Sequence, residues 1–102
     1  MTKNEKKDKI RILMEMNSSS ENHYYDCLSD IGDLKHNYYN YLTTSPMDVE
    51  VEMKRLPEAD YELCAALLTM LLREDHFSNG SFERRYQRGY VTSILQRMME
   101  LL

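Results

Sequence analysis

The sequence contains no tryptophan and has only three glycines and two prolines among 102 residues, so residues that form tight turns are scarce. A β-sandwich or β-barrel needs many turns, and the shortage disfavours both. An alternation of strands and helices, which is typical of doubly wound folds, is also absent. Helical periodicity runs through most of the chain, and we predict an all-α fold.

Long hydrophobic runs and cysteines are scarce as well. The longest apolar stretch, Leu63–Leu72, contains one polar residue and is about half as long as the roughly 20 residues that cross a bilayer. The N-terminus lacks the uncharged apolar segment of a signal peptide. Cys27 and Cys64 lie in apolar helical contexts, so we expect reduced thiols in a cytoplasmic protein, with a single disulfide as the alternative.

The stretch Leu63–Leu72 predicts the centre of the fold. Its apolar residues recur at helical spacing and also occupy the remaining faces, so other helices should surround it. We expect one domain over residues 1–102, in which five to six helices enclose a central helix at about 58–74 and roughly the first eight residues fray. The other helices are predicted at about 3–16, 21–42, 82–88 and 90–102.

Several residues predict where helices begin and bend. Ser20 and Ser81 are expected N-caps. Gly32 falls inside the helix predicted at 21–42, where it costs about 1 kcal/mol relative to alanine and allows close packing or marks a kink. Gly89 should end the short helix at 82–88, because a positive φ costs glycine little.

Residues 46–55 carry two conflicting patterns. Ser45 as N-cap, followed by Pro46 and Asp48, is a typical helix start. Apolar and acidic residues alternate from 47 to 53, which is the period of a strand. Because no second strand is available for pairing, we predict a short helix through about Arg55.

The net charge of −4 is distributed unevenly. Residues 1–16 carry a charge of +2, residues 17–60 carry −6, and residues 61–102 are balanced. An acidic middle argues against a general nucleic-acid coat, which requires a basic surface. It would suit a basic partner, although a solvated acidic face is the simpler interpretation.

Five tyrosines lie between residues 24 and 41. Tyrosine combines apolar area with a hydroxyl group, so such clusters are typical of half-buried surfaces and of binding sites. Packing between helices is the first interpretation, and a partner surface or a homodimer contact is the alternative. The hypothetical partner surface comprises Tyr24, Tyr25, Tyr38, Tyr39, Asp48, Glu50 and Glu52.

Motifs for catalysis and for metal or cofactor binding are absent. His23 and Cys27 have the i,i+4 spacing of two ligands on one helical face, but a structural zinc site takes four ligands. We therefore expect no metal, no cofactor and no enzymatic activity. Arg84, Arg85 and Arg88 lie on a predicted short helix after a turn and offer an alternative function, which is contact with phosphates of DNA or RNA.

The C-terminal forty residues resemble the end of a family of short bacterial and phage proteins classed as a domain of unknown function. His76 and Asn79 depart from the pattern, since the family tends to have arginine and glutamate there. The resemblance implies a helical fold and a mobile-element setting, and it implies no reaction. The matching positions are Leu67-Leu68-Thr69, Arg73, Asp75, Phe77, Gly80, Gly89, Ile94-Leu95 and Arg97.

Arg73, Asp75 and His76 form the polar part of this pattern. In the structural interpretation, Arg73 pairs with an acid or with the last carbonyls of its helix, and Asp75 accepts backbone N–H groups from the turn at residues 78–80. In the functional interpretation, the three residues form a small polar pocket beside Phe77.

These observations favour a non-enzymatic protein-interaction module, carried by a mobile element, that acts by occupying a partner's surface. An inhibitor of a host nuclease, such as an anti-CRISPR protein, fits this expectation. Its carboxylates would compete with RNA or DNA for a basic channel. The carboxylates in question are Asp30, Asp33, Asp48, Glu50 and Glu52.

Overall fold

Helix α4 (Tyr61–Glu74) lies at the centre of the computed structural model, which describes all 102 residues. Every residue from Cys64 to Leu72 is fully buried. The prediction of a central helix is therefore confirmed. The helix begins at Tyr61 instead of near residue 58, because Pro57 belongs to a separate 3₁₀ helix, Leu56–Glu58.

Five other α-helices surround α4, and the chain contains no strand, so the all-α prediction is confirmed. None of the helices has the length and apolar character needed to cross a membrane. Helix α4 packs against the two C-terminal helices and a further 3₁₀ helix, Tyr38–Tyr41. The surrounding helices are α1 (Lys3–Glu15), α2 (Glu21–Ile31), α3 (Val49–Met53), α5 (Ser81–Gln87) and α6 (Tyr90–Leu101).

Helix α2 is much shorter than its apolar pattern predicts. Gly32 adopts a left-handed conformation with φ of 80°, and the N–H of Asp33 donates to the carbonyl of Leu28 at 2.9 Å. This pattern of bonds closes a helix at a glycine. The prediction that one helix continues to Leu42 is wrong, and the chain turns so that Tyr38–Tyr41 crosses α4 separately.

Two helices begin at residues that the sequence did not predict. The prediction of a short helix near residue 50, instead of a strand, is confirmed. This helix starts at Val49, and Asp48 caps it by accepting the N–H of Val51 at 3.2 Å. The predicted start at Ser45 is wrong. Ser81 is also not an N-cap, because Gly80 occupies that position and Ser81 is the first, buried residue of α5.

One fully buried carboxylate, Glu52, stabilises the loop at residues 43–44 that precedes α3. It accepts the backbone N–H groups of Thr43 at 3.0 Å and Thr44 at 2.8 Å. The guanidinium of Arg55 lies 2.9 Å away and supplies the opposite charge. A buried charge is tolerated when it is paired and hydrogen bonded, so this network fixes the loop against α3.

A second buried carboxylate, Asp33, joins three elements. The hydroxyl of Tyr61 donates to it at 2.6 Å, and the ammonium group of Lys6 pairs with it at 3.0 Å. These contacts connect the start of α4, the end of α2 and the first turns of α1. Helix α1 itself begins with a capping box between Thr2 and Glu5.

Candidate functional site

Arg73 lies in the last turn of α4 and is half-buried. Its guanidinium lies over the ring of Tyr25, 5.5 Å from the ring centroid, which is cation–π geometry. No carboxylate of the chain is within ion-pairing distance, and no acceptor of the chain bonds its N–H groups. The predicted pairing of Arg73 with an acid or with the helix carbonyls is therefore wrong.

Tyr25 connects Arg73 to His76. The Tyr25 hydroxyl is 3.0 Å from Nε2 of His76, and the two rings meet edge to face with centroids 6.3 Å apart. Burial is the main cause that raises the pKa of Tyr25, and the charge of Arg73 acts in the opposite direction. One half-buried tyrosine therefore positions a cation and an imidazole on the same surface.

Further aromatic side chains extend this surface. Tyr38 is close enough to contribute to the raised pKa of Tyr25, and its ring meets that of Tyr39 edge to face at 5.8 Å. Tyr39 is 63% exposed and Phe77, next to His76, is 70% exposed. We call this set the aromatic–arginine surface. Its members are Tyr25, Tyr38, Tyr39, Arg73, His76 and Phe77.

Asp75 bonds to the start of α5. Its Oδ1 accepts the backbone N–H of Phe82 at 3.2 Å, so the expected bonds to the turn at residues 78–80 are not formed. Burial and the neighbouring Asp75 carboxyl raise the pKa of Glu21 at the start of α2. Asp75 thus ties the turn to α5, while Arg73 and His76 remain on the aromatic–arginine surface.

The other residues of the hypothetical partner surface lie elsewhere. Tyr24 is a core residue whose hydroxyl donates to the carbonyl of Ser18 at 2.6 Å, and burial raises its pKa to about 12. Glu52 is fully buried, and Asp48 caps α3. Tyr24 and Glu52 are therefore not accessible to a partner, whereas Tyr25, Tyr38 and Tyr39 share one surface.

Two of the three arginines at α5, Arg85 and Arg88, pair with carboxylates, whereas Arg84 donates to the carbonyl of Asn79 and the hydroxyl of Ser78. Arg85 lies between Glu74 at 2.9 Å and Glu50 at 2.8 Å. Arg88 is 3.5 Å from Glu50, whose pKa is lowered first by a hydrogen bond from Tyr90 and then by the two arginines. The predicted basic cluster exists as a group, but its charge is partly neutralised.

Both cysteines are free thiols, as the sequence predicted. Cys64 is fully buried, and Cys27 is half-buried with its Sγ 3.9 Å from the carbonyl of Lys9. Burial raises the pKa of each thiol to about 11. His23 and Cys27 have no third ligand, since no group of three or more His, Cys, Asp or Glu side chains is arranged to hold a metal.

Comparison with known sequences assigns the chain to a family but not to an activity. The sequence profile of a family of unknown function, DUF6508, matches residues 2–102. This match covers nearly the whole chain, well beyond the C-terminal forty residues that carry the recognisable pattern. No curated protein and no solved structure matches the chain.

Proposed function

The chain belongs to DUF6508, a family of unknown function, and we propose that it is a non-enzymatic protein-interaction module that binds a partner through the aromatic–arginine surface. Tyrosine, phenylalanine and arginine are enriched in the cores of protein interfaces and among the residues that dominate binding energy. The surface combines four aromatic side chains with one arginine, and the ring of Tyr25 contacts the guanidinium. Its composition supports this function.

The observation that carries the proposal is the unpaired guanidinium of Arg73. Arginine has five N–H donors, and a half-buried arginine normally directs several of them to acceptors. Here the ring of Tyr25 orients the guanidinium, and no group of the chain accepts a hydrogen bond from its N–H groups. A partner carboxylate or main-chain carbonyl would supply the acceptor, and the exposed rings of Tyr39 and Phe77 would contact apolar groups around it.

The resemblance to phage and bacterial proteins extends the proposal to a setting. We propose that the protein acts in the cytoplasm of a bacterial host of a mobile element, with both thiols reduced. In its narrower form, the partner is a host nuclease, such as a CRISPR effector, that the protein inhibits. Asp26 and Asp48, which are exposed and form no ion pair, support a basic partner of this kind, whereas Asp33 and Glu52 are buried.

Capture from a lysate of the native host tests the proposal. Tagged wild-type protein is compared with Arg73→Gln and Phe77→Ser, and with Val51→Ser as a matched control at a 40% exposed apolar position on α3. The proposal requires one host protein that wild type and Val51→Ser retain and that both surface variants lose, at unchanged melting temperature. Equal capture by all four proteins would contradict it.

Nucleic-acid binding by α5 is the second candidate function. Arg84, Arg85 and Arg88 line an open cleft of about 470 Å³, which could receive a phosphate group. The test is titration with a naked RNA duplex and a naked DNA duplex at several salt concentrations. Binding that weakens steeply with salt and disappears in Arg88→Glu supports this candidate, and the absence of binding at low salt excludes it.

A further inference from the structure

A groove of about 520 Å³ runs between α1 and α2, away from the residues of the aromatic–arginine surface. Ile12 is 59% exposed and Met16 is 46% exposed, and both line the groove from α1. Leu13 and Cys27 lie deeper in the groove, and His23 lines it from α2. The groove is thus largely apolar and accessible to solvent.

The groove exists because α1 has two apolar stripes. Ile10 and Leu13 face the core and are almost fully buried. Ile12 and Met16, spaced i and i+4, form a second stripe that no element of the chain covers. Such a stripe costs solvation free energy in the isolated protein, and this cost is recovered when another apolar surface covers it.

The rim of the groove is acidic. Asp26 lines the groove, is exposed and makes no ion pair within the chain. A second carboxylate, Asp30, also lines the groove from α2. The nearby cations are engaged already, since Lys9 pairs with Asp30 and Arg11 pairs with Asp8.

We propose that this groove binds a basic amphipathic α-helix of a partner protein. The apolar face of that helix would cover Ile12 and Met16, and its lysine or arginine side chains would pair with Asp26. Helix-in-groove recognition uses this arrangement, and the flexible thioether of methionine adapts to different partner side chains. A second copy of this chain fits less well, because the carboxylates of the two rims would face each other.

The test uses a designed peptide of about 15 residues with leucine and lysine at helical spacing, which forms a basic amphipathic helix of about four turns. A second peptide carries glutamate in place of lysine. Binding to the full chain is measured by isothermal titration calorimetry. We expect the lysine peptide to bind at least tenfold more tightly than the glutamate peptide, and Asp26→Asn to weaken the lysine peptide several-fold.

Ile12→Asp separates groove binding from general attraction to an acidic protein. The substitution adds negative charge, so unspecific attraction predicts equal or tighter binding of the lysine peptide, whereas the groove predicts binding at least tenfold weaker. Val51→Asp makes the same charge change at another exposed position and should bind as the wild type does. Circular dichroism melts verify that both variants fold, as expected for exposed positions.

Three results would overturn the groove proposal. The first is undiminished binding of the lysine peptide by Ile12→Asp, and the second is equal binding of the two peptides. The third is a concentration-dependent dimer in sedimentation equilibrium that Ile12→Asp abolishes, which would assign the groove to a second copy of the chain. None of these results affects the aromatic–arginine surface, because the variants leave its residues unchanged.

Discussion

The guanidinium of Arg73 lies 5.5 Å from the ring centroid of Tyr25, so the end of α4 contacts α2 without a carboxylate between them. The ring stabilises the positive charge from one face of the guanidinium only. Cation–π contacts at accessible sites contribute about 0.5–1 kcal/mol, which is enough to orient a side chain but small against the stability of a domain. The contact therefore orients the guanidinium of Arg73, as the proposed binding of an external acceptor requires.

The first prediction concerns the cost of removing this contact. Tyr25→Leu should lower the free energy of unfolding by about 1 kcal/mol, because it removes the cation–π contact and the exposed bond to His76. Tyr25→Phe should cost less, since the ring stays. Urea denaturation measures both. A loss of more than about 2 kcal/mol in Tyr25→Phe would assign the hydroxyl a structural role that the proposal does not give it.

The second prediction concerns the core of α4. Leu68 is fully buried, so Leu68→Ala should cost about 2–5 kcal/mol by leaving a cavity. Leu68→Asp should prevent folding, because it places an unpaired charge in an apolar interior. Ile12→Ala is the matched exposed control and should change stability by less than about 0.5 kcal/mol. A folded Leu68→Asp protein in circular dichroism would contradict the central position of α4.

The third prediction concerns Glu52 and acid. Burial alone would raise the pKa of Glu52, but hydrogen bonds from Thr44, Arg55 and the backbone of Thr43 lower it below the ordinary 4.5. A carboxylate whose pKa is lowered by folding stabilises the protein above its unfolded-state pKa, and this contribution is lost as the pH falls through the folded-state value. Removing one partner of such a buried pair costs about 3 kcal/mol.

Glu52→Gln should therefore melt well below the wild type at neutral pH. Because glutamine does not titrate, the difference between the two melting temperatures should shrink as the pH falls below 4.5, where protonation removes the same charge from the wild type. Thermal melts from neutral pH to about pH 3 provide the measurement. A difference that is independent of pH would show that Glu52 stabilises the fold without its charge.

The fourth prediction concerns the thiols. Burial raises the pKa of Cys27 and of Cys64 from the ordinary 9.0 to about 11, which lowers the thiolate fraction near pH 8 by about 100-fold. Both thiols should react slowly with a disulfide reagent in the native protein and rapidly after unfolding in guanidinium chloride. A native rate for either thiol equal to that of free cysteine would contradict the burial.

Much of the fold could be predicted from the sequence because local patterns agreed with the tertiary structure. Nearly continuous apolar residues between 63 and 72 require surroundings on all faces, and α4 has them. The end of α2 could not be found in the same way. Leu34 and Tyr38 continue the apolar spacing past Gly32, but a glycine at a helix end adopts the left-handed conformation readily. Here the glycine preference outweighed periodicity.

The candidate site could be predicted only in parts. Adjacent residues on a helix differ by about 100° in direction, and this rotation places Tyr24 in the core and Tyr25 on the surface. The sequence named Tyr25 and Arg73 in two separate hypotheses, since 48 positions separate them along the chain. Only the packing of α2 against α4 joins them. The exposure of Phe77 was also missed, although its position in a polar turn was consistent with exposure.

The affinity of Arg73→Gln for the captured partner tests the central claim most directly. With the partner purified, isothermal titration calorimetry gives the Kd of wild type, Arg73→Gln and the control Val51→Ser. A guanidinium at the centre of an interface contributes about 2 kcal/mol or more, so we expect a Kd about 30-fold higher for Arg73→Gln and an unchanged Kd for Val51→Ser. Equal Kd values for all three folded proteins would contradict the aromatic–arginine surface as the binding site.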